Sequence, residues 1–152
     1  MKKRFILFNL LLLLYLLLLS ACNNEDELSG KTFKVASPPG PIMEHIDDPD
    51  RYYPIMTLEF LDGKVSTNSI HDGEGTYELN DNVLVLHFEN ENETLKLSFE
   101  VKESEKDFSE YSAIISEVDF EMKDTDKVSH FKNLSFKFDK NTPIEFIKEL
   151  TL

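Results

Sequence analysis

The sequence has no tryptophan, and Cys22 is the only cysteine among its 152 residues. A single cysteine cannot form a disulfide within the chain, so the fold must depend on its apolar core. The sequence also lacks a Gly-x-Ser-x-Gly elbow, a phosphate-binding loop and a His-Glu-x-x-His motif. These absences predict that the protein is not an enzyme, and no cofactor is expected.

Basic side chains are scarce after the first 22 residues. From residue 23 onward, 13 basic side chains stand against 29 acidic ones, a net charge of −16. This balance argues against nucleic acid and against electrostatic docking on anionic lipid, because both need Lys and Arg to neutralise phosphates. The same charge would steer a cationic partner protein toward the chain.

The first residues have the three-part layout of a secretory signal peptide. Three basic residues precede a run over 5–19 that is interrupted only by Asn9 and Tyr15, and small residues follow. As a helix this run would rise about 22 Å, short of the ~30 Å hydrocarbon core of a bilayer. We therefore predict a cleaved signal over residues 1–21, with an uncleaved signal anchor as the alternative.

The signal ends in Leu19-Ser20-Ala21-Cys22, which resembles the lipobox of bacterial lipoproteins. The resemblance implies that the Cys22 sulfur receives a diacylglycerol group and that a peptidase cuts just before it. Two acyl chains hold a protein on a membrane far more firmly than one. Residues 22–29 are then an acylated cysteine and a polar tether, and the protein is anchored to the extracytoplasmic face of the cell membrane. The alternative is a chance cysteine after an ordinary signal peptide.

Residues 30–152 read as a single all-β domain. Apolar and polar residues alternate in many segments, as in Met56, Leu58 and Phe60, and turn signals such as Asp62-Gly63 separate them. The pattern predicts eight strands, near 31–37, 55–61, 64–70, 75–80, 83–90, 94–104, 111–123 and 128–139.

The short turns favour an antiparallel up-and-down meander, closed as a barrel or flattened into a sandwich. Near the end of the chain, Thr142-Pro143-Ile144-Glu145 matches a capping box with proline at the first helical position. We therefore predict a short C-terminal helix over 143–150 that lies on the barrel. A ninth strand is the alternative for this segment.

The order of short motifs resembles the lipocalin-like domains of small bacterial lipoproteins. The matching stretches are Gly30–Phe33, Leu58–Val65 and Gly75–Leu79, followed by the apolar strand Val83–Leu86. The resemblance implies a barrel with a ligand-binding mouth and a helix outside it.

Five of the six prolines fall within residues 38–54. Proline has no N–H for a ladder, so this stretch is predicted to be a long connection at one mouth of the barrel. There it would present Ile42, Met43, Tyr52 and Tyr53 to a ligand or a partner. The alternative is that these residues plug the end of the barrel.

Two segments contain candidate metal ligands. Glu44–Asp50 is acidic but does not match a calcium loop, and His71-Asp72-Gly73-Glu74-Gly75 is first of all a glycine-rich turn. We interpret both as solvated loops, and the sequence predicts no metal site.

Two functional hypotheses follow from the sequence. In the first, the tethered barrel binds a small apolar ligand or a peptide at its mouth. In the second, an immunity-type or assembly-type lipoprotein presents an acidic surface to a partner protein. The interior distinguishes them: an open apolar cavity implies a ligand. A barrel filled by phenylalanines implies a partner protein, and the candidates to fill it are Phe60, Phe88, Phe99, Phe120 and Phe136.

Overall fold

The computed structural model describes residues 26–40 and 47–149. Eight antiparallel strands form a closed barrel, in which each strand pairs with the next and β8 pairs with β1. The predicted all-β class and up-and-down order are confirmed, and the sheet is a barrel rather than a sandwich. The strands are β1 Thr32–Ser37, β2 Tyr53–Leu61, β3 Lys64–Ser66, β4 Glu74–Asn80, β5 Val83–Glu89, β6 Glu93–Glu103, β7 Ser109–Met122 and β8 Pro143–Lys148.

Local signals place the first seven strands close to where the sequence predicts them. The β2–β3 connection is the two-residue turn Asp62-Gly63, and both residues have positive φ, 49° and 75°. Such a turn matches the right-handed twist of paired strands, and Asp-Gly adopts it readily. Strand β3 is shorter than the predicted 64–70, because residues 67–73 form a loop instead. Strand β2 begins at Tyr53, inside the segment predicted as a proline-rich connection.

The last two elements differ from the prediction. Residues 128–139 contain no strand but a one-turn helix, α1 (Lys132–Ser135), in which Leu134 is buried. Residues 143–148 form strand β8 and not the predicted C-terminal helix. The alternative interpretation of this segment as a strand is therefore correct. Strand β8 pairs with both β1 and β7, so it closes the barrel. The hydrogen bonds that β8 forms with β1 and β7 outweigh the local preference of the capping-box sequence for a helix.

Side chains fill the interior of the barrel. Of the five phenylalanines named as candidates to fill it, Phe60, Phe88 and Phe99 are fully buried there, whereas Phe120 is half-buried and Phe136, just after α1, is 71% exposed. The remaining large buried side chains at 2% exposure or less include Phe33, Leu58, Leu84, Leu86, Leu95, Leu97, Phe131 and Phe146. Many of the rings meet edge to face, such as Phe33 with Phe146 at 5.9 Å between centroids.

Short segments close both ends of the barrel. At the end where the described chain starts, which we call the proximal end, Leu28 is buried in the core. Gly30 N donates to Phe60 O at 2.8 Å, and Tyr77 Oη donates to Asp26. Residues 26–29 of the predicted tether are therefore packed on the barrel. At the opposite, distal end, the segment around α1 covers the core with Phe131, Leu134 and Phe138.

The described helices include none that is long and apolar enough to span a membrane.

Candidate functional site

The four residues predicted to present a surface at the barrel mouth do not share one environment. Ile42 and Met43, like Cys22, lie outside the described residues. Tyr52 is 5% exposed and Tyr53 is 64% exposed, although they are neighbours in the chain. The prediction that both tyrosines present a surface is wrong for Tyr52.

Tyr52 does not plug the barrel mouth either. It lies outside the barrel wall, in a small buried cluster with Ala36 and Ile147. Its ring meets that of Phe108 edge to face, with 5.5 Å between centroids. The side chain therefore pins the segment before β2 onto the outer face of β1 and β8.

A saturated carboxylate lies next to this cluster. The side chain of Glu145 is 8% exposed, and Lys106 Nζ lies 2.6 Å from its Oε1. The hydroxyls of three serines, Ser104, Ser109 and Ser112, lie 3.2, 2.9 and 2.9 Å from its Oε2. We call this carboxylate saturated because one ammonium group and three hydroxyl groups surround it, and we interpret it as structural.

The titration behaviour of the neighbours agrees with that interpretation. Burial alone would lower the pKa of Lys106, but the hydrogen bond and the charge of Glu145 outweigh it and raise that pKa. Burial raises the pKa of Tyr52, and the nearby Glu145 adds to the shift while Lys106 opposes it. Lys106 stays charged and Tyr52 stays neutral over the physiological range.

An acidic groove of about 850 Å³ lies on the outer wall of the barrel. Five of its lining residues are carboxylates, and none is Lys or Arg: Glu59, Asp72, Glu74, Glu89 and Glu149. Glu89 forms an ion pair with Lys123, and an adjoining groove of about 600 Å³ includes Lys64 and His87. The groove thus concentrates negative charge, with Lys64, His87 and Lys123 near its margin.

The groove follows from the shortness of one strand. Strand β3 pairs with β2 only over Glu59–Leu61, so the earlier part of β2 continues without a β3 neighbour. The loop over 67–73 turns away at this point, and its residues line the groove beside Thr57 of β2. The sequence does not reveal where β3 ends, since no glycine or proline stands between Lys64 and Asp72.

A more apolar groove of about 720 Å³ lies elsewhere, beside β6, β7 and β8. Val83 and Ile114 contribute to it, and both are about two-fifths exposed. Lys102, Lys106 and Glu145 also line it, so charged groups stand at its walls. It is an open feature of the wall, not the mouth of the barrel in which the sequence predicts a ligand.

Two histidines and an aspartate meet at the distal end. His71 and Asp72 belong to the loop between β3 and β4, and His130 precedes α1. Their ligand atoms all lie within 4.8 Å of one another. Sequence reasoning missed this cluster because His130 is far from the other two along the chain, and only the barrel brings them together. A third histidine, His87, is exposed on β5 and lies outside this cluster.

Comparison with known protein families, with curated proteins and with solved structures gives no significant match.

Proposed function

We propose that this protein is a membrane-tethered extracytoplasmic lipoprotein whose barrel presents its acidic groove to a basic segment of a partner protein. The observation that carries the proposal is the filled interior. Phe60, Phe88 and Phe99 are each at 0% exposure in the middle of the barrel. A ligand in the barrel would have to displace these rings from a close-packed core, so recognition falls to the outer surface.

The charge of the groove defines the partner. The lining carries carboxylates from β2, β4, β5 and the β3–β4 loop, and none of its described residues is a base. A segment with Lys or Arg side chains would complement it, and Arg could bind a carboxylate through two parallel hydrogen bonds. The surplus negative charge of the chain would speed the encounter with such a partner.

Closure of the barrel limits how the partner can bind. Each strand has a neighbour on both sides somewhere along its length, and β8 seals the sheet against β1. The described strands therefore leave only partial unpaired edges, at Tyr53–Leu58 of β2 on the side of β3 and at Ser116–Met122 of β7 on the side of β8. Most of the outer wall thus offers a partner side chains and not free backbone groups, which favours the charged groups of the groove.

The anchor would orient the barrel. Cys22 lies four residues before Asp26, so the connecting chain can span at most about 14 Å. Asp26 is at the proximal end, where it accepts a hydrogen bond from Tyr77. A lipid on Cys22 would thus hold the proximal end near the membrane, with the distal end and its loops directed away from it.

Site-specific photo-cross-linking in the native host tests the docking surface. The cross-linking residue replaces Asn68, which is exposed in the acidic groove, or Asn82, which is exposed at the proximal turn between β4 and β5. Neither replacement alters the charge. We expect a defined protein adduct from position 68 that is absent from position 82.

Variants that remove carboxylates then test whether the charge of the groove is responsible for the adduct. Glu59→Gln with Glu74→Gln should abolish the adduct at position 68, whereas Asp119→Asn with Glu121→Gln on β7 should leave it intact. The same loss with both pairs would contradict recognition by the groove. A small apolar molecule retained by the purified protein in native mass spectrometry would favour the ligand hypothesis instead.

The lipid anchor has a separate test. Cys22→Ala removes the thiol that would form the thioether, so metabolic labelling with a fatty acid should disappear. Cys22→Ser is a second variant with a nearly isosteric side chain and should also be unlabelled. Continued labelling of either protein would contradict the anchor.

A further inference from the structure

We infer that His71, Asp72 and His130 form a binding site for a divalent transition metal of the zinc class. Neither the sequence analysis nor the proposed function assigns a role to the two histidines of this trio. Two imidazoles and one carboxylate form a common zinc donor set, and three protein ligands leave a fourth position for water or another donor. The proposal stands without the partner protein and without the lipid.

The distances between the donors are close to those that tetrahedral zinc needs. His71 Nε2 lies 3.6 Å from Asp72 Oδ1, and His130 Nδ1 lies 3.8 Å from Asp72 Oδ2. Ligands about 2.1 Å from a tetrahedral zinc lie roughly 3.4 Å apart. Small side-chain rotations would therefore suffice, and the two histidine rings already face each other with 5.0 Å between centroids.

One donor atom is held without a hydrogen-bond partner. His130 Nδ1 is buried, and no described residue hydrogen-bonds to it. Buried polar atoms in folded proteins are nearly always satisfied, so an orphaned ring nitrogen requires an explanation. Asp72 Oδ2 lies 3.8 Å from it, too far for a hydrogen bond. A metal ion between the two side chains would satisfy both.

The β3–β4 loop presents its two ligands in a fixed conformation. Thr67 N donates to Gly73 O at 2.8 Å, which closes the loop at its base. A Cβ at position 73 would lie 2.1 Å from Thr67 O, so only glycine allows this closure. Asp72 has a φ of +56°, a left-handed conformation that Asp and Asn tolerate better than most residues. The loop thus holds His71 and Asp72 side by side at its rim.

A second carboxylate fixes the backbone of the third ligand. Glu93 is 1% exposed, and its Oε1 accepts from His130 N at 2.6 Å and from Phe131 N at 3.2 Å. Its Oε2 accepts from Ser129 Oγ. Glu93 therefore anchors the segment that carries His130 to the start of β6. Such outer contacts set the orientation of metal ligands and tune affinity.

The chemistry of the donors selects the class of metal. Imidazole nitrogens suit zinc, copper, nickel and iron, whereas calcium and magnesium prefer sites made of oxygen alone. The trio also differs from the acidic groove beside it, in which carboxylates carry the charge. Asp72 belongs to both, so a bound cation would reduce the negative charge at one end of the groove.

Zinc titration of the full chain, purified in detergent and freed of metal, tests the site. We expect one equivalent of Zn²⁺ to bind and Ca²⁺ and Mg²⁺ not to compete. Co²⁺ should bind in its place and show the visible absorption of a tetrahedral centre. His71→Ala and His130→Ala should each weaken binding by more than the ~10- to 100-fold typical of an outer-shell loss.

Two variants are matched to these. His87→Ala removes an exposed histidine outside the cluster and should leave the affinity unchanged. Asp72→Asn keeps a residue that tolerates positive φ while it removes the charge, so it should weaken binding without unfolding the loop. Thermal melts check folding directly: Zn²⁺ should raise the melting temperature of the original protein and of His87→Ala, but not that of His130→Ala.

The proposal is overturned if zinc does not bind, or if it binds equally well to the His71→Ala and His130→Ala proteins. It is also overturned if His87→Ala weakens binding as much as they do, because the metal would then sit on scattered surface histidines.

Discussion

Two polar clusters outside the barrel core are built in opposite ways. Around Glu145 the protein supplies a lysine and three serine hydroxyls, so the buried carboxylate is saturated. Around Asp72 it supplies two histidines, and one buried ring nitrogen has no described hydrogen-bond partner. The first cluster holds β7, β8 and the loop between β6 and β7 together. The second cluster keeps a ring nitrogen that no described residue hydrogen-bonds, and such a free donor atom is what a metal site requires.

The largest expected effect tests the packing beside the saturated cluster. Tyr52→Ser deletes a ring that is 5% exposed and contacts Phe108. Truncation of buried aromatics costs ~3 to 5 kcal/mol, and we expect about 3 kcal/mol of unfolding free energy here. Urea unfolding measures it. A loss below about 1 kcal/mol would mean that the tyrosine is not part of the folded core.

The next largest loss of stability is expected when the ion pair between Lys106 and Glu145 is broken. Lys106→Met keeps the aliphatic stem but leaves Glu145 without its cation. Breaking a buried ion pair costs ~3 to 5 kcal/mol, and because Lys106 is 29% exposed we expect about 2 kcal/mol. The double variant with Glu145→Gln should recover part of that loss. If the double variant is as unstable as the single one, the charge pairing does not explain the cluster.

A smaller loss of stability is expected at Glu93, which holds the backbone of His130 beside Asp72. Burial would raise the pKa of Glu93, but the hydrogen bonds from Ser129, His130 and Phe131 outweigh it and lower that pKa. Its carboxylate therefore adds stability above its unfolded pKa of ~4.3, and this contribution is lost as pH falls through the folded value. Glu93→Gln should cost about 1 to 2 kcal/mol near neutral pH.

Acid unfolding of the two proteins checks the sign. The stability difference between the original protein and Glu93→Gln should shrink as the pH falls below about 4, because the original carboxylate is then protonated. A difference that grows toward acid would contradict the lowered pKa.

The smallest effect is expected at the exposed neighbour of Tyr52. Tyr53 is 64% exposed at the start of β2, so Tyr53→Ser should change stability by less than about 0.5 kcal/mol. The adjacent substitutions thus provide a matched pair that differs mainly in burial. Equal melting temperatures for the two single variants would show that the segment before β2 does not pack as described.

Much of the barrel could be predicted from alternation, because each of the first seven strands has one wet and one dry face. Strand β8 does not. Ile144, Phe146 and Ile147 are buried on both faces together with Glu145, so no period of two is visible. The segment around α1 shows the opposite case. Leu134, Phe136 and Phe138 alternate in sequence as a strand would, but α1 forms at Lys132–Ser135 and Phe136 is exposed.

The candidate sites were less predictable than the fold. Tyr52 and Tyr53 look alike in sequence, and only the tertiary contact with Phe108 separates them. The meeting of His71 with His130 depends on two loops at the distal end that are distant in the chain. The acidic groove depends on where β3 ends, which hydrophobic pattern does not fix. Such features arise from closure of the barrel rather than from local sequence.

Anomalous diffraction from crystals grown with Zn²⁺ tests the contrast between the clusters most directly. The account predicts one zinc peak at the distal end, about 2.1 Å from His71 Nε2 and from His130 Nδ1, and no peak beside Glu145. A zinc peak at the Glu145 cluster, or none between the two histidines, would contradict it.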